Sequence, residues 1–560
     1  MPDLDLSAVD AAFTAFHDGG TTPGIAYGVV SEGELVHAVG LGRLDVARDV
    51  APDHDSVFRI ASMTKSFTAA TVLALRDRAM VRLDDALVEH LPELAEGLAG
   101  PTADSAPVTV RDLLTMGAGF ATDDPWGDRQ QDLSLESFDD LLRQGPARIG
   151  ASDGRFEYSN LGYAVLGRLI TRLTGRPYDE TVAELVLRPL GMTATGFHDD
   201  LVPAPCRAVG YGYHGAQLVA QPLTGCGAFA PMGGLLSSVR DLAGWVATLA
   251  AGEPARDDPD EAVVLRRSSV REMQQPRRLV EATATAAQLG GPVRLMVASY
   301  GYGLVVEDDA ALGRCVSHSG GYPGFGSHMR WHPGSGLGLV ALANRTYAPM
   351  RQISAQALAA LVRTRPRSPA AAPWARTTDA EAVVEQLFDA WDESLADRWF
   401  AMNMDLDVPR ELRRQEFESL TTVLGRLRRD PRVLASHSTA AHSRWWLAGQ
   451  RGRVRIDLSL SPQPVPLIQS ITLMSVPQPS EALSAGARSA SAAAALASVP
   501  ESWGSGLVLG DVGPPIAGDG STRAVYALRD ERLSLEVSLA ADTLDVRVVP
   551  MPQRADGAFL

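Results

Sequence analysis

Lysine is almost absent from this chain. Of its 51 Lys plus Arg residues a single one, Lys65, is a lysine, so nearly every cation is a guanidinium. Arg stays protonated in proteins, whereas a desolvated Lys ammonium can lose its proton and act as a base, so the lone amine marks a task that Arg cannot perform. Cysteine is scarce as well: Cys206, Cys226 and Cys315 are scattered and odd in number, which argues against a metal site and suits buried free thiols in a reducing compartment. No apolar run is long enough to span a bilayer, and the acidic start Met1-Pro2-Asp3-Leu4-Asp5 lacks the basic-then-apolar pattern of a secretory leader. Cytoplasmic residence is the expectation. Excess positive charge is missing too; the net charge of −16 argues against generic affinity for nucleic acid or anionic membrane.

What is present describes a globular chain. Its 560 residues, 45% of them hydrophobic, allow a large core and two or three domains. Residues 7–18 place apolar side chains at helical spacing and stop at Gly19-Gly20. Two alternating segments flank Ser31-Glu32-Gly33-Glu34 as a hairpin. Helical periodicity returns from Ser62 onward, over Leu161 to Leu173, over Ser238 to Leu249 and from Met350 to Val362. Residues 253–295, charged and Ala-rich, read as helix and surface loop. Strands are expected at 302–306, 315–321, 328–331 and 338–344, with Gly334-Ser335-Gly336 as a hairpin turn.

The pattern predicts an α+β fold: an antiparallel sheet flanked by helices, with an inserted helical lobe, over residues 1–365. A Pro- and Ala-rich linker is expected at 366–378. A small α+β accessory domain follows at 379–480, cystatin-like in its order of helices (380–400, 411–427) and then four strands, the first at 433–437. Residues 481–560 read as an Ala-rich helix, 482–498, and a β-rich segment. No catalytic constellation is visible after residue 365.

The chemistry concentrates in three short pieces. Ser62 and Lys65 are three residues apart, nearly one helical turn, so on a helix the amine reaches the hydroxyl. A serine near a helix N-terminus also sits where developing negative charge is favoured. The plain alternative is an ordinary helix start with a solvated lysine. Tyr158 and Asn160 lie in the turn before the next helix, and His318-Ser319-Gly320-Gly321 lies on a predicted strand.

In this order the three pieces resemble the penicillin-recognising serine hydrolases: class C β-lactamases, D-Ala-D-Ala carboxypeptidases, and related esterases and D-aminopeptidases. The likeness extends over roughly residues 8–362 and includes the contexts Phe58-Arg59-Ile60-Ala61-Ser62 and Phe156-Glu157-Tyr158-Ser159-Asn160. It implies a β-lactamase-like α/β sandwich without cofactor or metal. It also implies Ser62 as the acylated nucleophile, Lys65 as its neutral-amine base, and Tyr158, phenol or phenolate, as proton relay. Neighbouring cations are expected to depress both the Lys and the Tyr pKa. Asn160 is then a substrate and Lys65 contact, and the N–H groups of Ser62 and Gly321 form the oxyanion hole, glycine there letting substrate approach edge-on.

One departure bears on substrate. Where β-lactamases and carboxypeptidases of the group often carry Lys-Thr-Gly, this chain has His318-Ser319-Gly320. A histidine is only partly charged near neutrality, so a fixed cation for a substrate carboxylate is missing; Arg330 on the next strand is a substitute to weigh against an ion-pair role. The function expected is hydrolysis, through an acyl-enzyme, of small esters or D-amino-acid amides and peptides. The alternatives are acyl transfer or peptide cyclisation by the same intermediate, and a non-catalytic penicillin-binding sensor. The partner expected is a small-molecule substrate, with neither nucleic acid nor membrane, and self-association is expected through the C-terminal region.

Overall fold

The computed structural model describes residues 4–94, 102–286 (except 153, 216 and 262), 293–364 (except 310 and 311), 372–477 (except 432 and 434), 493–495 and the strands 509–518, 521–528, 533–540 and 543–550. It divides into two compact units, Met1–Thr285 with Arg294–Arg365, and Ala286–Val293 with Pro366–Leu560.

The first unit is built on the hairpin β1 (Gly24–Ser31) and β2 (Glu34–Gly42). The insertion after it contributes only short strands: β3 (Phe58–Arg59), β4 (Tyr211–His214), β5 (Gln217–Ala220) and β6 (Leu236–Ser237). Then come β7 (Arg278–Ala286), β8 (Val293–Tyr300), β9 (Val305–Asp309), β10 (Gly313–Tyr322), β11 (Phe325–His332) and β12 (Leu337–Ala343). The large sheet has eight strands in the order β2-β1-β12-β11-β10-β9-β8-β7. The first strand of this sheet in sequence, β1, therefore pairs with its last, β12, with Ile25 opposite Ala343 and Val29 opposite Leu339.

The central strands β1, β11 and β12 are buried along their whole length, as apolar runs with helices on both faces require. On one face lie the helices Ser7–Asp18 and Met350–Arg363, which pack Val9, Phe13, Leu358 and Leu361 against the sheet. The other face holds the larger core, to which the helices Thr64–Asp77, Asn160–Thr174 and Val239–Ala250 contribute. Trp245 stacks on Phe67 with ring centroids 4.5 Å apart and ties two of these helices; burying a side chain such as Phe67 stabilises by about 1.5–3 kcal/mol. The α+β sandwich with its helical lobe is as expected, and so is the Ser335-Gly336 turn between β11 and β12, with Gly336 at φ +69°.

Three local expectations change. Residues 253–295 hold the expected helix, as Arg267–Met273, but also strand β7 and the start of β8 where surface loop was expected. Of the three thiols only Cys315 is buried; Cys206 is exposed and Cys226 lies between. In the second unit the expected pair of helices is four: Ala375–Asp389, which begins inside the stretch read as linker, Glu393–Trp399, Asn403–Asp407 and Arg410–Leu424. The chain breaks after Asp389 because Ala390 adopts an extended conformation, and Asp392 caps the next helix.

The sheet of this unit is β13 (Arg428–Arg429), β14 (His442–Gly449), β15 (Gly452–Leu460) and β16 (Ile468–Pro477), paired in sequence order. Its first strand lies before the expected 433–437, where Ser436 makes only an isolated bridge to Arg444. Alternate residues of β15 are buried, Val454, Ile456 and Leu458 facing the helices. A further four-stranded antiparallel sheet covers β17 (Leu509–Gly518), β18 (Ser521–Leu528), β19 (Leu533–Ala540) and β20 (Thr543–Pro550). Of the Ala-rich helix expected at 482–498 only residues 493–495 are among those described. Among the described residues no helix is long and apolar enough to cross a membrane.

Candidate active site

The nucleophile segment leaves strand β3, which pairs with β6. Ala61 then adopts φ +49°, a left-handed conformation unusual for a residue with a Cβ. This kink turns the chain into the short 3₁₀ turn Ala61–Met63 and the helix Thr64–Asp77, so Ser62 stands at the start of a helix as expected. Arg59, also buried, donates to the Thr224 carbonyl at 2.8 Å and helps fix the loop that leads to Met232.

Lys65 is fully buried, and its Nζ lies 3.0 Å from Ser62 Oγ, 2.7 Å from Asn160 Oδ1 and 2.9 Å from the Met232 carbonyl. Two of these partners can only accept. A neutral amine has two hydrogens and one lone pair, so with both hydrogens given to Asn160 and Met232 the lone pair faces the serine hydroxyl. Burial lowers the Lys65 pKa to about 8, against the pull of Asp124, Asp123 and Asp128 toward the charged form. Desolvation, and not a neighbouring cation, is therefore what makes the amine a base.

Asn160 opens the helix Asn160–Thr174 and Tyr158 lies just ahead of its cap Ser159, whose Oγ accepts from Gly162 N–H at 3.3 Å. Asp123 accepts from the N–H groups of Asn160 (2.7 Å) and Leu161 (2.8 Å), a carboxylate on a helix N-terminus. Asp124 accepts from Asn160 Nδ2 at 2.8 Å, which leaves the amide oxygen no orientation except toward Lys65. The Tyr158 hydroxyl hydrogen-bonds Ser62, and Lys65 Nζ lies 4.9 Å from the centre of its ring. Burial first, and then Asp124, raise the Tyr158 pKa well above its ordinary value. That direction favours a phenol over a phenolate in the resting side chain.

The third piece divides between the two faces of the sheet. His318 and Gly320 face the helical lobe. His318 Nδ1 lies 2.6 Å from the Ser319 carbonyl and must carry the hydrogen, so Nε2 accepts from the Tyr300 hydroxyl at 3.0 Å. Burial, with Lys65 adding to it, lowers the His318 pKa to about 3. His318 is neutral, not partly charged. A Cβ on Gly320 would collide with the Ile60 carbonyl and Ser327 Oγ, so this glycine lets β10 press against the nucleophile segment. Gly321 is covered by the Tyr347 ring, which a Cβ would strike. Close packing within the chain excludes side chains at both positions.

Ser319 points the other way, with Oγ 2.9 Å from His328 Nδ1, and does not join Ser62. Arg330 shares that opposite face, buried and paired with Glu307, which also accepts from Arg351 at 2.7 Å. It therefore cannot replace a substrate-binding cation. Sequence reasoning missed Asp123, Asp124, Asp128, Met232, Tyr300 and Tyr347; the pair Asp123-Asp124 just before Trp126 is the signal that could have pointed to the acidic loop. A cleft of about 590 Å³ around Asp179, Arg188 and His198 contains none of these residues. Among the described residues no cluster of three or more His, Cys, Asp or Glu could hold a metal.

The family model described as Beta-lactamase matches residues 9–363. Protein flp of Staphylococcus aureus (strain COL) is 27% identical over 333 residues, 58% of this chain and 60% of that protein. The D-alanyl-D-alanine-carboxypeptidase/endopeptidase AmpH of Escherichia coli (strain K12) is 28% identical over 257 residues, 44% of this chain and 62% of that protein. The chain thus spans about three-fifths of the length of these curated relatives. Among solved structures, the octameric penicillin-binding protein homologue from Pyrococcus abyssi matches with a TM-score of 0.54 at 19% identity, covering 97% of this chain and 98% of its own. With the family match taking in the nucleophile helix, the Tyr158 turn and the β10 motif, the chain belongs to the Beta-lactamase family.

Proposed function

We propose that the chain is a serine hydrolase that acts on small esters or D-amino-acid amides and peptides through an acyl-enzyme on Ser62. The observation that carries this reading is the Lys65 environment, in which two accept-only partners turn the amine's lone pair toward Ser62 Oγ. Neutral Lys65 takes the serine proton as Oγ bonds to the substrate carbonyl carbon. The C=O electron pair moves onto oxygen, where the N–H groups of Ser62 and Gly321 stabilise it. When that pair returns, the bond to the leaving group breaks and the Tyr158 phenol supplies its proton, replenished from Lys65. Water then repeats the sequence on the acyl-enzyme.

Neutral His318, engaged on both ring nitrogens, supports a substrate that needs no fixed cation for a carboxylate. The D-alanyl-D-alanine specificity in the name of the Escherichia coli relative supports the amide and peptide part of the proposal. The test is labelling of Ser62 with a fluorophosphonate, followed by a panel of short p-nitrophenyl esters, D-amino-acid anilides and a chromogenic β-lactam. Labelling with turnover is expected, and labelling lost in Ser62→Ala. An unlabelled Ser62 with no turnover would sink the reading. Self-association through the second unit belongs to the same proposal: Met402, Leu406 and Leu412 are exposed there, a solved relative is described as octameric, and sedimentation of the full chain decides it.

A further inference from the structure

Tyr347, just past β12, has a conformation that needs a reason. Its φ is +50°, a left-handed geometry of the kind that costs a residue with a side chain about 1–3 kcal/mol and persists where surrounding contacts impose it. The residue is 48% exposed, yet its ring lies against Gly321, whose N–H is assigned to the oxyanion in the proposed mechanism. Its hydroxyl donates to Asp128 Oδ2. Asp128 is only 3% exposed, and its charge acts on both Lys65 and Tyr158. The base of the side chain is fixed too: Tyr347 N–H donates to the Phe325 carbonyl at 3.0 Å, and Thr346 Oγ1 accepts from Gly324 N–H at 2.7 Å. One aromatic side chain therefore runs from the end of β10, at Gly321, to Asp128 in the acidic loop of the helical lobe.

We propose that Tyr347 determines specificity by walling off the space beside Gly321, so that esters and amides of slender, unbranched acids are accepted and those of branched, bulky acids are refused. The inference rests on the serine-hydrolase reading above and names the acyl class for that site. Two features favour a wall over a packing residue. Nearly half of the side chain faces solvent, so it fills no core. The backbone strain would be relieved by glycine, so the ring and its tie to Asp128 are what the position retains.

The test compares kcat/KM for p-nitrophenyl acetate and p-nitrophenyl trimethylacetate in wild type, Tyr347→Ala, Tyr347→Gly and Tyr347→Phe. The ratio of bulky to small substrate should rise in the Ala and Gly variants by about 10–200-fold, the scale on which a methyl-sized change is read in an apolar pocket. Tyr347→Phe keeps the ring and should move the ratio less. A partly unfolded preparation lowers both rates alike and leaves the ratio untouched, and Tyr347→Gly carries no strain at this φ. An unchanged ratio in the Ala and Gly variants, with Ser62 still labelled by a fluorophosphonate, overturns this proposal alone. Absence of labelling and turnover in the wild type overturns the serine-hydrolase reading and this inference with it.

Discussion

Asn160 Oδ1 lies 2.7 Å from Lys65 Nζ, and the opposite end of the same amide is held by Asp124. The amide therefore presents the lysine with a dipole and no charge, leaving the amine free to lose its proton near pH 8. The pH dependence of kcat/KM should rise to a plateau with a limb near that value. The plateau should persist above pH 10, because the Tyr158 phenol titrates well above its ordinary 10.0. In Asn160→Asp a carboxylate replaces the dipole, and the limb should move to higher pH by about 1–3 units. An unmoved limb would mean that a group other than Lys65 controls the rate.

The same lysine should be visible in stability. It releases its proton near pH 8 when folded and near 10.5 when unfolded. Between those values the unfolded chain binds more protons, so the lysine's contribution to stability rises with pH there and is lost as pH falls through about 8. Thermal unfolding of Lys65→Met, compared with wild type between pH 8 and 10.5, should show the wild type gaining on the variant. Parallel curves would contradict the shifted pKa.

Lys65→Arg keeps a cation in place but offers no neutral amine at working pH. Its kcat should fall by about 10²–10⁴-fold, the usual loss of a general base. Near-normal turnover in single-turnover kinetics would remove Lys65 from the base role.

Arg330→Met tests the face of the sheet turned away from Ser62. Glu307 would keep Arg351 but lose its buried partner, and breaking a buried pair costs up to about 3–5 kcal/mol. Tm should drop while the ratio of kcat/KM between carboxylate-bearing and neutral substrates stays constant. A change in that ratio with Tm intact would return Arg330 to the substrate.

What was legible in the sequence was local. The spacing of Ser62 and Lys65 and the placing of Tyr158 and Asn160 before a helix follow from short-range periodicity, and the structure keeps them together. The partners that orient them come from far along the chain. Met232 is 167 residues from Lys65, and Tyr347 is 219 from Asp128, separations that carry no pattern. The opposite facing of Ser319 was readable, since alternate residues of a strand point to opposite faces. Strands β7 and β8 hid because alanine and charge, poor in β-propensity, dominate residues 253–295.

The full burial of Lys65 has a consequence for the fate of the acyl group. Histidines aside, the remaining basic side chains are guanidinium groups, which stay protonated and so are poor nucleophiles toward an activated ester. An acyl chain held on Ser62 would thus find no exposed lysine on its own carrier or on a neighbouring copy. Amide formation on a lysine side chain is thereby closed to the intermediate, because the sequence holds no second lysine.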